Sequence, residues 1–119
     1  MATTTIDIAG YDNEDIDRQF TLRSGTQQSS TPIDITNAEF EIDIRDQRNA
    51  LVLRLSTDPG GGITKTDPTN GVFVVHIDQG AIQVQQGRSL RYDILMLSGG
   101  EIRRLWGGSV RISAGVTVP

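Results

Sequence analysis

Ala38-Glu39-Phe40-Glu41-Ile42-Asp43-Ile44-Arg45-Asp46 alternates apolar and charged side chains step by step. Successive side chains on a β-strand point to opposite faces. The stretch therefore reads as a strand that buries Ala38, Phe40, Ile42 and Ile44 and wets Glu39, Glu41, Asp43 and Arg45. The same period returns near the C-terminal end, where Val110, Ile112, Ala114, Val116 and Val118 alternate with Arg111, Ser113, Gly115 and Thr117. Short strands at regular spacing, separated by Gly, Pro, Asn and Asp turns, predict an all-β sandwich or barrel.

Gln47 to Ala50 is of hairpin length. Leu51 to Ser56 then returns with Leu51, Leu53 and Leu55 on one face, which predicts antiparallel pairing with the strand before it. Upstream, Thr3 to Ala9 reads as a first strand with Ile6 and Ile8 on one face, and Gly10 to Asn13 as a turn. Ile16 to Arg23 is a second strand with Ile16, Phe20 and Leu22 inward and Arg18 an exception on that face. Ser24 to Thr31 is a polar loop and Pro32 to Thr36 an extended lead-in. Downstream, Thr57 to Gly62, with Asp58-Pro59 and three successive glycines, is a surface loop. Ile63 to Lys65 is a short strand. Asp67-Pro68-Thr69-Asn70-Gly71 is a turn in which Pro fixes φ and Asn-Gly accepts positive φ.

Val72 to Asp78 reads as a central strand. Gln79 to Gly87 is open between one helical turn and a short strand around Ile82 and Val84. Ser89 to Leu97 and Glu101 to Trp106 form a hairpin about Ser98-Gly99-Gly100, Gly107-Gly108 permits a bulge or kink, and Ser109 to Val118 completes the sheet. The expectation is one domain over residues 1–119 with about seven to eight strands.

A chain of 119 residues fits one domain. At this size it buries roughly two-thirds of its unfolded surface, so stability requires no disulfide or metal. There is no cysteine, which excludes a disulfide scaffold, a Cys-ligated zinc site and cysteine catalysis. The formal charge is −4. Its basic residues are scattered, and the closest set, Arg88, Arg91, Arg103 and Arg104, is accounted for by solvated strand faces; no nucleic-acid partner is expected. No apolar run approaches the roughly 20 residues of a membrane helix, and Met1 to Thr5 has neither the basic start nor the apolar core of a signal peptide. The expected location is the cytosol of synthesis, or a particle that leaves it.

Few residues carry chemistry. Asp12, Glu14, Asp15 and Asp17 resemble a hard-cation loop, since Ca²⁺ takes six to eight oxygens, but the EF-hand glycine and terminal Glu are missing. A solvated turn entering a strand explains them, and no cofactor is expected. His76, the single histidine, sits on the face of Val72 and Val74 and cannot by itself build a multi-His site. Asp43 and Asp93 are carboxylates within strands, and nothing in the sequence sets them at the separation glycoside hydrolysis needs. Gly60-Gly61-Gly62 precedes a strand, so it is no phosphate loop. Trp106 is read on the face of Ile102, as core or as an interface anchor. With no nucleophile–base pair in sight, the expectation is a protein without enzymatic activity.

The order of turns adds a resemblance. The chain carries Pro32-Ile33-Asp34-Ile35-Thr36, Ile44-Arg45, Gly62-Ile63-Thr64, Asp67, and Asn70-Gly71-Val72-Phe73. It continues with Gly87-Arg88-Ser89-Leu90-Arg91-Tyr92-Asp93-Ile94, Gly99-Gly100, Gly108-Ser109-Val110-Arg111-Ile112 and Val116-Thr117. In this layout, which covers nearly the whole chain, it resembles the small immunoglobulin-like β-sandwich virion proteins of tailed bacteriophages. That group includes N-terminal domains of baseplate upper proteins and stand-alone tail or neck proteins. The opening Ala9-Gly10-Tyr11-Asp12 departs from the group's pattern. The resemblance implies a non-enzymatic virion component, present in many copies or as a homo-oligomer, whose partners are other virion proteins. Tail, baseplate or neck is the expected place, with capsid decoration on the head as the alternative. Trp106, Arg103, Arg104, Asp58 and Gly60 are the candidate contacts, and Met1 to Thr5 and Val116 to Pro119 the candidate arms. A carbohydrate- or receptor-binding module is the reading of another class, opposed by an aromatic content of 5%.

Overall fold

The structure, a computed structural model, describes residues 6–11, 14–24, 31–82 and 90–113. Its strands are β1 (Ile8–Tyr11), β2 (Ile16–Thr21), β3 (Arg23–Ser24), β4 (Thr31–Pro32) and β5 (Glu39–Asp46), followed by β6 (Leu51–Ser56), β7 (Ile63–Asp67), β8 (Val72–Ile77), β9 (Leu90–Ser98) and β10 (Glu101–Ser113). A 3₁₀ turn over Pro68–Asn70 joins β7 to β8. Five strands form one sheet in the order β1-β10-β9-β5-β6, three form a second in the order β2-β8-β7, and β3 and β4 make a small ribbon. The two larger sheets pack face to face as a β-sandwich. No helix of the described residues is long and apolar enough to cross a membrane.

β5 forms because its alternation matches a two-faced sheet. Phe40, Ile42 and Ile44 are buried, and β5 pairs antiparallel with β6 on one side and β9 on the other. β8 does the same in the smaller sheet, between β2 and β7, with Phe73, Val75 and Ile77 inward. Four rings close the gap between the sheets. Phe73 stacks on Phe40 at 4.4 Å between centroids and 17° between planes. Phe20 lies 5.5 Å from Phe73 and 5.3 Å from Trp106. Phe20 and Phe73 come from the three-stranded sheet, Phe40 and Trp106 from the five-stranded one. All the buried apolar residues belong to one contiguous cluster.

Two register shifts and one parallel pairing shape the molecule. Between Arg104 and Gly107, β10 carries a residue more than β9. Such a bulge shifts the side-chain period by one. Trp106 therefore turns inward and is 7% exposed, whereas Ile102 is 66% exposed on the outer face. The period-two reading of Trp106 and Ile102 on one face is corrected by this extra residue. Secondly, a register shift between Ile44 and Arg45 leaves Val52 without a partner on β5 and turns Leu51 out to 46% exposure, so Leu51, Leu53 and Leu55 do not share a buried face. The β5–β6 turn is held by Asp46, whose Oδ1 accepts the N–H groups of Arg48 at 2.9 Å and Ala50 at 3.0 Å.

Thirdly, β1 pairs parallel with β10, so the sandwich is not wholly antiparallel. The start of the chain is tied in by the Tyr92 hydroxyl, which donates to the Ile6 carbonyl, by Ile6 N–H donating to Gly107 O at 3.1 Å, and by Ser109 N–H donating to Asp7 Oδ1 at 3.0 Å. Gly108 has no side chain where a Cβ would run into the Ile6 carbonyl. Gly10 and Tyr11 accordingly lie in β1 and not in a turn. The β9–β10 hairpin turns on Gly99 and Gly100 with φ of 60° and 82°, the two positive values a type I′ turn requires. After β8, Ala81 N–H donates to Asp78 O at 3.0 Å in a turn, and Ile82 is buried. Val84 and residues 114–118 of the expected last strand lie outside the described residues, as do Thr3 to Thr5.

Replacing Phe73 by Ala empties the centre of the ring cluster. A fully buried Phe→Ala change lowers stability by about 3–5 kcal/mol, whereas Ile102→Ala on the exposed face is expected to change it by about 0.5 kcal/mol or less. Urea unfolding of the two variants checks this ordering.

Candidate functional site

The outer face of the five-stranded sheet is built in rows by register. Glu41, Leu95 and Arg104 stand opposite one another, then Asp43, Asp93 and Gly107, then Arg45, Arg91 and Ser109. Asp43 and Asp93 are direct cross-strand neighbours, and like charges so placed repel. Each has its own cation. Arg54 holds Asp43 with two bonds, Nε–Oδ1 at 2.7 Å and Nη2–Oδ2 at 3.1 Å, and Arg45 Nη2 adds a third at 3.2 Å. Arg104 Nε donates to Asp93 Oδ1 at 2.9 Å. The Arg54 bonds hold the Asp43 carboxyl below its ordinary value, so it is no proton donor at neutral pH. Because Gly107 and Gly108 carry no side chains, a hollow of about 590 Å³ opens between these rows. Arg45, Arg91 and Arg104 line it together with Asp43 and Asp93; Arg45 and Arg104 pair with these carboxylates, and Arg91 Nη2 reaches Asn49 Oδ1 at 3.5 Å.

A second cluster lies on the outer face of the smaller sheet. The β2–β8 register sets Asp17 opposite His76, and the strand period puts Asp78 on the same side as His76. His76 Nδ1 is 2.6 Å from Asp17 Oδ1, and Nε2 is 2.8 Å from Asp78 Oδ1. Asp15 joins from the start of β2, its Oδ1 accepting Gln79 N–H at 2.8 Å. One ligand atom each from Asp15, His76 and Asp78 fall within 4.8 Å of one another. The hydrogen bond to Asp17, then that to Asp78, raises the His76 pKa, because an imidazolium donates to both carboxylates and a neutral ring to only one.

Of the hard-cation loop read from the sequence, the described carboxylates Glu14, Asp15 and Asp17 are each turned onto a different partner. Glu14 Oε1 accepts Tyr11 N–H at 3.1 Å, Asp17 is turned onto His76, and Asp15 onto Gln79. The start of β2 pulls the backbone straight, so these carboxylates meet different neighbours; Asp12 lies outside the described residues. No strand period gives Asp17 and His76 away as partners, because they meet through the pairing of two distant strands.

The candidate contacts do not form one patch. Trp106, read as core or as an interface anchor, is a core residue whose ring packs on Phe20 and Phe73. Arg103 and Arg104 project to opposite faces of β10, Arg103 towards Glu101 at 3.6 Å and Arg104 towards Asp93. Asp58 and Gly60 sit in the exposed turn after β6, at the far side of the sheet from β10. That turn borders a groove of about 700 Å³ between β6 and β7, lined by Leu53, Leu55, Ile63, His76 and Asp78. The candidate arms Met1 to Thr5 and Val116 to Pro119 lie outside the described residues. No family model and no curated protein matches this chain.

Protonated His76 binds its carboxylates more tightly in the folded state than in the unfolded one, so its contribution is full below pH 6.5, its ordinary value, and is lost as pH rises through the raised folded value. Thermal midpoints of the wild type and of His76→Gln, measured across that window, are expected to converge on the alkaline side. A gap independent of pH counts against the linkage.

Proposed function

We propose that this chain is a non-enzymatic structural component of a tailed-bacteriophage or prophage particle, in the tail, baseplate or neck. It docks on copies of itself and on other virion proteins through a strand edge and neighbouring loops. The observation that carries the docking mode is the state of β6. One side of it pairs with β5, and among the described residues its other side is met only at its last residue, where Ser56 bridges to Gly62 and its N–H donates to Gly61 O at 2.8 Å. Leu51 is exposed there, and Val52 and Leu53 are half-buried. Free apolar edges recruit further strands, and stable monomers guard them with charge. The one charge on β6, Arg54, is drawn onto the outer face by Asp43 and Glu41 at 2.7 and 3.3 Å. β7, the edge strand opposite, is guarded by Lys65, whose Nζ spans to the carbonyls of Thr36 at 3.0 Å and Ala38 at 2.8 Å.

Two further observations support the reading. The ordered motifs in which the chain resembles phage virion sandwiches span nearly its whole length. The order β10-β9-β5-β6 over β2-β8-β7 is the order of strands G-F-C-C′ over B-E-D in immunoglobulin-type sandwiches. In a symmetric particle, weak edge contacts are multiplied by copy number.

Mass spectrometry and cryo-EM of particles encoded by the neighbouring genes test the proposal. The chain is expected in copies set by ring symmetry, with β6 against a neighbour. Density on the capsid lattice would replace the tail by head decoration, and absence from purified particles would sink the reading. The variant Leu51→Lys, at an exposed position, is expected to stay folded, within roughly 1 kcal/mol of wild type, and to be left out of the particle.

A further inference from the structure

We propose that Asp15, His76 and Asp78 form a binding site for a divalent first-row transition-metal ion, Zn²⁺ being the best fit, with Asp17 as the residue that positions the imidazole. Geometry and charge balance carry this, independently of the virion reading.

The two ring nitrogens have different surroundings. Asp17 stands on Nδ1 at 2.6 Å. If Nδ1 keeps its proton for Asp17, Nε2 presents its lone pair towards Asp78 and Asp15. A carboxylate behind a ligating histidine is the recurrent arrangement that fixes tautomer and ring orientation at zinc sites. Asp15 spends Oδ1 on the Gln79 N–H at 2.8 Å, which anchors the carboxylate and leaves Oδ2 for a metal. The three ligand atoms lie within 4.8 Å of one another, and tetrahedral bonds of 2.0–2.2 Å to Zn²⁺ set ligand atoms about 3.4 Å apart, so the widest separation closes by up to about 1.4 Å while His76 Nε2 and Asp78 Oδ1, at 2.8 Å, open slightly. Asp15 and Asp78 are exposed and flank the ends of β2 and β8, so side-chain rotation supplies that movement. One imidazole and two carboxylates leave a fourth position for water. A nitrogen ligand and so small a ligand set disfavour Ca²⁺.

The charge count points to a cation. Three carboxylates, Asp15, Asp17 and Asp78, surround one imidazole, and among the described residues no Lys or Arg forms an ion pair with any of them. Arg54 and Lys65 line the adjoining groove, but Arg54 is committed to Asp43 and Glu41, and Lys65 to backbone carbonyls. Asp58 adds a further negative charge along that groove. Among the described residues the His76 imidazole is the only group of the cluster that can carry a positive charge, by taking up a proton. A divalent ion replaces it, expels that proton, and ties the start of β2 to the end of β8 and the turn beyond.

Titration of the whole chain with ZnCl₂, read by thermal midpoint and by the ¹⁵N spectrum of the single histidine ring, tests the site. In roughly 100-fold excess over its dissociation constant, Zn²⁺ should raise the midpoint by several degrees. The Nε2 resonance should move to the coordinated position, and a chelator should reverse both. Affinity should fall about tenfold for each pH unit below the His76 pKa, since proton and metal compete for Nε2. His76→Gln and Asp78→Asn should abolish the rise, and CaCl₂ should produce none. An unchanged ring spectrum in excess Zn²⁺ overturns the proposal, as does a midpoint rise that His76→Gln retains. The ring spectrum is read on the wild type, so it decides even where a variant folds poorly.

Discussion

The face-to-face contact of Phe73 with Phe40 sets the rest of this structure. One ring comes from an interior strand of each sheet, and the 4.4 Å stack brings β8 and β5 to a common depth. Phe20 is the register partner of Phe73 on β2, and Trp106 closes the cluster from β10. Aromatic side chains bury about 150–250 Å² each, so four of them dominate a core otherwise made of Ile, Val and Leu. Once Phe73 and Phe40 point inward, the two-residue period of their strands sends their neighbours outward. Glu41 and Asp43 must then lie on the outer face of one sheet, and Val74 and His76 on that of the other. Both polar clusters are consequences of the core.

That parity was legible in residues 38–46, where each apolar side chain is followed by a charged one. The β5–β6 and β9–β10 hairpins, the central place of β8 and the 3₁₀ turn at Pro68 follow from equally local signals: a two-glycine turn, a Pro and an Asn-Gly pair. The misreadings share a cause. A bulge adds one residue, and one residue inverts every face beyond it. Leu51 and the pair Trp106 and Ile102 were assigned by continuing a period through such a point. Composition offers no warning there, since Leu105-Trp106-Gly107 satisfies a strand pattern in either phase. The parallel β1–β10 pair was hidden for another reason. It joins the two ends of the chain, and its determinants, the Tyr92 hydroxyl and the bare backbone of Gly108, lie a whole domain away from Ile6.

The polar clusters were the least legible part, because each is assembled by pairing register. Asp43 and Asp93 are 50 positions apart in sequence and directly opposite in space. Two carboxylates side by side suggest acid–base chemistry until their partners are counted. Arg54 and Arg45 stabilise the ionised form of Asp43, the reverse of the desolvated, proton-holding carboxyl that glycoside hydrolysis requires. At His76 the balance runs the other way. There anions outnumber cations, and the strain of that excess falls on one imidazole. The same fold thus places a neutralised ladder on one outer face and an uncompensated cluster on the other.

The edges complete the argument. An open sandwich ends each sheet in strands with one unpaired side, and what matters is how each is covered. At β7 the long stem of Lys65 folds across the gap to carbonyls preceding β5, so the edge is spanned by the chain's own cation. At β6 the sole cation is pulled sideways into the Asp43 ladder, and the strand keeps Leu51, Val52 and Leu53 beside its free backbone. The ladder on the outer face and the bareness of the edge are therefore linked. Pairing register sets Arg54 directly opposite Asp43, and its ion pairs with Asp43 and Glu41 keep that charge on the outer face. The bare stretch of β6 is the surface that the proposed docking would cover.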